Sequence, residues 1–80
     1  MGNMGATTTT TEVRELAQAA GVAIAQVARE MGKTRTWLSL ALAGERAITS
    51  VQLAEVVTII DRLVRERDRA YQDAVARLWR

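Results

Sequence analysis

Cysteine, histidine and proline are all absent from this chain of 80 residues. Without cysteine there is no disulfide framework, and without cysteine and histidine the usual zinc ligands are missing. Histidine is also the commonest general base, and no pair of carboxylates suggests a replacement for it. We therefore expect no catalytic residues, no metal site and no cofactor. The lack of proline, beside abundant alanine, leucine and arginine, favours helices along the chain.

Long apolar runs are also missing. No run approaches the length of about 18 apolar residues that indicates a transmembrane helix. The N-terminus lacks the positive region and apolar core of a signal peptide. These absences predict a cytoplasmic protein with no membrane segment. The net charge of +2 is small, so charge alone is weak evidence for a nucleic-acid partner.

No alternating pattern typical of strands occurs, and the sequence predicts an all-α fold of four to five helices. Residues 1–8 lack periodicity and are expected to form a flexible N-terminal arm. Residues 9–60 are expected to form the globular domain. Residues 61–80 are expected to form a helical extension of it.

The first two helices are marked by capping and glycine signals. Thr9 and Glu12 have the spacing of a capping box, and Gly21 is the natural stop of a helix of about 10 residues. A second helix is predicted over 24–31 and ends at Gly32, although Ala23 offers no cap for its start. The positions expected to face the core in these helices are Val13, Leu16, Ala17, Ala20, Ile24, Val27, Ala28 and Met31.

Two more helices follow. Thr34 is the best N-cap for a helix over 35–43. Thr49 and Gln52 form a second capping box, and the sequence from 50 to 79 contains no glycine or proline. It predicts one largely helical segment. The expected core positions here are Leu38, Ala41, Leu42, Leu53, Val56, Val57 and Ile60.

The segment from Gln26 to Arg46, "QVAREMGKTRTWLSLALAGER", joins two short helices by a glycine turn, as in a helix-turn-helix. Ala28, four residues before the glycine, is small enough for the next helix to approach closely. Gly32 supplies the positive φ that the turn requires. Leu38 is expected to fill the angle between the two helices.

With the "ITSVQLAEVVTII" that follows, this segment resembles the Cro/C1-type helix-turn-helix family of phage repressors and small bacterial regulators. The resemblance spans about residues 13–60 and implies a lambda-repressor-like fold in which helix 34–43 enters the major groove. The implied base-reading residues are Arg35, Thr36, Ser39 and Leu40. The implied phosphate contacts are Lys33, Thr34, Arg46 and Gln26. Ala23 and Ile24 stand where the family often has a polar cap and a glutamine, and Gln26 is the candidate substitute.

The resemblance implies a sequence-specific regulator bound to double-stranded operator DNA, such as a phage-type repressor or a Cro-like protein, in a bacterial cell or a phage-infected host. An alternative is a protein–protein interaction module, an adaptor or antirepressor that keeps the scaffold without binding DNA. Trp37 has two interpretations as well, partial burial against a neighbouring helix or packing on the DNA backbone.

The C-terminal segment raises a separate question. Thirty helical residues span about 45 Å, whereas a compact domain of this size has a radius of gyration of roughly 12 Å. Either the helix breaks within 61–69 and folds back, or it projects and exposes the apolar stripe Tyr71, Ala74, Val75 and Leu78 unless a homodimer covers it. The charged run is expected to pair internally at i,i+4, Asp61 with Arg65 and Arg62 with Glu66, and is not assigned to DNA.

Overall fold

The computed structural model describes residues 8–79 and contains four helices. They are α1 (Thr10–Ala20), α2 (Ile24–Glu30), α3 (Arg35–Leu42) and α4 (Ser50–Leu78). No strand occurs in this range, so the predicted all-α class is confirmed. The four helices are the lower end of the predicted range of four to five. Within the same residues, no helix combines the length and the apolar character needed to cross a membrane. Most of the predicted flexible arm, residues 1–7, lies outside the described range.

Both predicted capping boxes are present. The Thr9 hydroxyl accepts from the Glu12 amide at 3.1 Å, and the Thr9 amide donates to Glu12 Oε1 at 2.9 Å. Thr49 and Gln52 repeat the pattern at 3.0 Å in both directions. Ala23 makes no side-chain cap hydrogen bond at the start of α2. The three-residue spacing thus sets the start of α1 and α4 locally, whereas α2 begins without such support.

The turn between α2 and α3 depends on Gly32, whose φ is +74°. This left-handed conformation strains a residue with a Cβ, although the space around the glycine is open. It lets the Lys33 amide donate back to the Ala28 carbonyl at 2.8 Å. The bond closes the end of α2 in a Schellman-type geometry, so the chain enters α3 from a fixed position.

The core lies where α1, α2 and α3 meet the first half of α4. Leu38 is fully buried and, with Ile60, Val13, Val27 and Val56, is among the largest such side chains. Two expectations were wrong in detail. Leu16 is exposed, because Val13 and Ala17 face the core and Leu16 is left at the rim of α1. Ile59 is buried although it was not expected in the stripe of α4.

Helix α4 runs unbroken from Ser50 to Leu78, so the fold-back alternative is wrong. Leu63 and Val64 still pack against the core, and no break separates residues 60 and 61. The boundary predicted there falls inside a continuous helix. The last turns project, which gives the molecule extents of 50 × 35 × 18 Å. Tyr71 and Leu78 are 64% and 84% exposed in this projecting part.

The charged middle of α4 makes both predicted pairs, Arg65 with Asp61 at 2.8 Å and Arg62 with Glu66 at 3.1 Å. Exposed i,i+4 pairs of this kind contribute little to stability. Arg62 also binds Glu30 of α2 at 2.6 Å. This second contact holds one face of α2 toward α4. It was not expected, because its partners are 32 residues apart.

Ala28→Leu tests the close approach of α2 and α3. Ala28 is 0% exposed, so a larger side chain overpacks the crossing and is expected to lower the free energy of unfolding by about 1–3 kcal/mol. Urea denaturation measures the effect. Ala19→Leu, the same change at an exposed position of α1, is the control and should alter stability little. Equal stability of the two variants would contradict this packing.

Candidate nucleic-acid interface

One side of α3 is buried and the opposite side faces solvent. Leu38, Ala41 and Leu42 are in the core. The four residues predicted to read bases are all exposed, and their i, i+1, i+4, i+5 spacing places them on one side of the helix: Arg35, Thr36, Ser39 and Leu40. Leu40 does not belong to the core, because a rotation of α3 that buried it would expose Leu38.

Thr34 caps α3 as predicted. Its hydroxyl accepts from the Trp37 amide at 3.0 Å. A hydroxyl that accepts one bond still has its own proton to donate, and the helix N-terminus beside it favours an anion. The Thr34 side chain can therefore hold the helix start and donate to a phosphate oxygen at the same time.

Lys33 lies at the same end of α3, and its side chain is directed by Trp37. The Lys33 Nζ atom is 5.1 Å from the centroid of the indole ring, within the range of a cation–π contact. Trp37 itself is half-buried and packs against the core cluster. The indole thus has the structural role that was one of its two interpretations, and it also restricts where the ammonium group can lie.

Arg46 lies beyond the other end of α3, in the exposed connection to α4. It forms no ion pair among residues 8–79. Lys33 and Arg46 are thus exposed cations beyond the two ends of α3.

Gln26 is not placed with the other predicted residues. It lines a cleft of about 400 Å³ with Gly21, Val22 and three residues of α4, Leu63, Glu66 and Arg67. Gln26 is one turn before Glu30, which pairs with Arg62 of α4. The face of α2 that carries Gln26 is therefore turned toward α4, and its predicted grouping with the exposed residues of α3 is not found.

Arg14 of α1 is a positioning residue that the sequence did not indicate. Its Nη1 atom donates to the Leu42 carbonyl at 3.2 Å. Helix α3 has no basic residue in its last turn, and Arg14 supplies the cation that its C-terminal carbonyls favour. The only available signal was that missing charge. The 28 residues between the two partners gave no means of locating the donor.

The described residues contain no group of three or more acidic, histidine or cysteine side chains arranged to hold a metal ion. Comparisons of this chain with protein-family models, with curated proteins and with solved structures give no match. The interpretation of the α3 surface therefore depends on its own geometry and chemistry.

Thr34→Ala tests how far the cap holds α3. Loss of the bond to the Trp37 amide is expected to cost about 0.5–2 kcal/mol of unfolding free energy. Thr36→Ala changes the same residue type two positions later, at an exposed site that makes no cap. Thermal denaturation of both variants is the measurement. A Thr36→Ala variant that is the less stable of the two would contradict the assigned N-cap.

Proposed function

We propose that this protein is a sequence-specific double-stranded DNA-binding regulator of transcription that inserts α3 into the major groove. The observation that carries the proposal is the division of α3 into a buried apolar side and an exposed side bearing Arg35, Thr36 and Ser39. A helix presented in this way after a glycine turn is the arrangement by which helix-turn-helix proteins contact base edges.

Base reading is assigned to the exposed side of α3. Arg35 is in the first turn, where the helix dipole disfavours a cation unless an anion or an acceptor is near. A guanine offers O6 and N7 as a pair of acceptors for a guanidinium group. Thr36 and Ser39 offer hydroxyl groups, and Leu40 offers apolar contact to a thymine methyl group. This set predicts a site with at least one important G·C pair beside an A·T pair.

Phosphate binding is assigned to Lys33, Thr34 and Arg46. Lys33 and Thr34 lie at the N-terminus of α3, and Arg46 lies beyond its C-terminus. Such contacts supply the affinity that does not depend on sequence and orient the helix in the groove. Gln26 is left out of this group because its face of α2 turns toward α4.

The mode of action that fits a small binding domain is occupancy of operator DNA, as in a phage-type repressor or a Cro-like protein, which excludes or recruits polymerase. No catalytic step is part of the proposal. The action requires only two things. The exposed residues of α3 must discriminate among duplexes, and the protein must be in the same compartment as the operator DNA.

A protein–protein interaction module is the second candidate. Leu40 favours it, because an apolar side chain stands in the middle of an otherwise polar surface. Selection of bound sequences from random duplex DNA separates the two candidates. A common sequence motif among the bound duplexes supports the regulator, whereas failure to retain any duplex, even at low salt where non-specific binding is strongest, supports the module.

Arg35→Ala tests the base-reading role. It is expected to weaken binding to the selected site by about 1–3 kcal/mol and to relax the preference at one base pair. The matched control is Arg69→Ala, which removes an exposed arginine from α4. It should leave the preferred sequence unchanged. Equal losses on the selected site and on random DNA for Arg35→Ala would show that the residue does not read bases.

Lys33→Ala tests the backbone role. The ammonium group is expected to bind a phosphate, so its loss should weaken binding to all duplexes alike and lower the slope of log affinity against log salt by about one. Titrations of one selected and one random duplex over a range of salt concentrations provide the measurement. An altered sequence preference with an unchanged salt slope is the opposite result and would reassign Lys33.

A further inference from the structure

The projecting end of α4 carries an apolar surface and, at its base, a cleft. The surface, called here the distal stripe, consists of Tyr71, Ala74, Val75 and Leu78, and Trp79 follows it at 82% exposure. The cleft of about 400 Å³ between Gly21, Val22, Gln26 and the α4 residues Leu63, Glu66 and Arg67 is the one described above. The α4 residues that line the cleft end at Arg67, about one turn before the stripe begins at Tyr71.

We propose that a second copy of this chain covers the distal stripe, with the two α4 ends antiparallel and the Leu78–Trp79 end of each copy against the cleft of the other. Such an interface is isologous, because each copy contributes both the stripe and the cleft. The proposal concerns a partner of this chain and does not depend on DNA binding.

The spacing of side chains selects the antiparallel register. In it, Tyr71 of each copy packs beside the small Ala74 of the other, so a large residue meets a small one twice. Four residues after Ala74 in one copy and four residues before Tyr71 in the other, the same register places Leu78 opposite Arg67. Trp79 then reaches the level of Glu66 and Arg67, which line the cleft. An indole against a guanidinium group is a favourable contact.

Charge also selects this orientation. Arg67 occupies the same seam as Tyr71 and Ala74, three to four residues apart. A parallel pair would place Arg67 against Arg67 of the second copy, which is repulsive. The antiparallel pair separates the two arginines to opposite ends of the interface. Five arginines and four acidic residues stand between 61 and 79, so the two projecting ends carry almost no net charge and do not repel strongly.

The available area suits a weak dimer. At their exposures of 64% and 82%, Tyr71 and Trp79 present roughly 300 Å² of surface between them, from the area typical of aromatic side chains. With Leu78, Val75 and the cleft walls, burial in both copies removes on the order of 1,200 Å², the lower limit of specific interfaces. Interfaces of this size include weak and transient complexes, so association is sought over the micromolar range.

Sedimentation equilibrium of the full chain without DNA tests self-association. The wild type is expected to pass from monomer to dimer over the micromolar range. Tyr71→Glu with Leu78→Glu places carboxylates in the seam and should raise the dissociation constant about 100-fold or more. Gln72→Glu with Ala76→Glu adds the same charge outside the stripe, about 100° and 140° around the helix from Tyr71, and should keep the wild-type constant. Circular dichroism checks that both double variants remain helical.

Two further measurements test the register and the cleft. The chain has no cysteine, so introduced thiols are unique. A mixture of Ala74→Cys and Tyr71→Cys chains should form the mixed disulfide, whereas Ala74→Cys alone should cross-link poorly. In a Trp37→Tyr background, Trp79 is the remaining tryptophan. Its emission should shift to shorter wavelength as the concentration rises through the dimer range.

Several results would overturn the proposal. A wild type that stays monomeric through the micromolar range excludes the dimer, and a monomer with already shifted Trp79 emission shows that another part of the same chain covers the surface. A dimer that is indifferent to the stripe variant places the interface elsewhere. Efficient self-cross-linking of Ala74→Cys contradicts the proposed register. Since no DNA is present, these failures are separate from failure of the duplex selection, which tests α3.

Discussion

The complete burial of Leu38 is the contact on which the rest of the α3 surface depends. A helix eight residues long has little stability of its own, so its rotation is set by the side chain that fills the core. With Leu38 inside, Ala41 and Leu42 follow, and the residues at i, i+1, i+4 and i+5 from Arg35 must face outward. The chemistry of the exposed side is thus determined by packing on the opposite side.

The packing around Leu38 requires small residues at the helix crossing and helices that end at defined positions. Ala28 allows α2 to lie close to α3, and the positive φ of Gly32 allows the reversal between them. Arg14 then holds the far end of α3 through the Leu42 carbonyl. The start of α3 is held by Thr34, so both ends of the helix are fixed by side chains outside its exposed surface. Residues on the exposed side of α3 can therefore be substituted without loss of the frame.

The sequence predicted what local chemistry determines. Capping boxes, glycine stops and apolar periodicity depend on residues three to five apart, and the helix bounds deduced from them agree with the structure to within about two residues, the usual uncertainty of such bounds. The i,i+4 pairs of α4 were predicted for the same reason. Contacts such as Glu30 with Arg62 and Arg14 with Leu42 join residues about 30 positions apart, and no local pattern identifies the partner.

The misplacement of Gln26 has the same origin. Its spacing from Gly32 indicates a position on α2, but which side of α2 faces α4 is decided by the burial of Val27 and Ala28 and by the path of α4. Leu16 fits the apolar period of α1, yet the stripe needed to close this small core is only as wide as Val13 and Ala17. Periodicity indicates which residues share a face. It does not indicate how much of that face a neighbouring helix covers.

The continuous α4 separates the exposed side of α3 from the distal stripe. Its first half closes the core that holds α3, and α3 itself packs chiefly on α1 and α2. Its second half extends away from that core, so a partner bound to the distal stripe does not have to contact Arg35 or its neighbours. If two copies join through these ends, each α3 surface stays open while the unbroken helices limit the relative orientation of the pair. If α3 binds DNA as proposed, two domains joined in this way act at a high effective concentration on it, and the helices rather than a flexible linker restrict the spacing of the half-sites. Under that proposal, the pair binds a two-half-site duplex more tightly than either α3 surface binds one half-site. This gain in affinity requires no further contact with the bases.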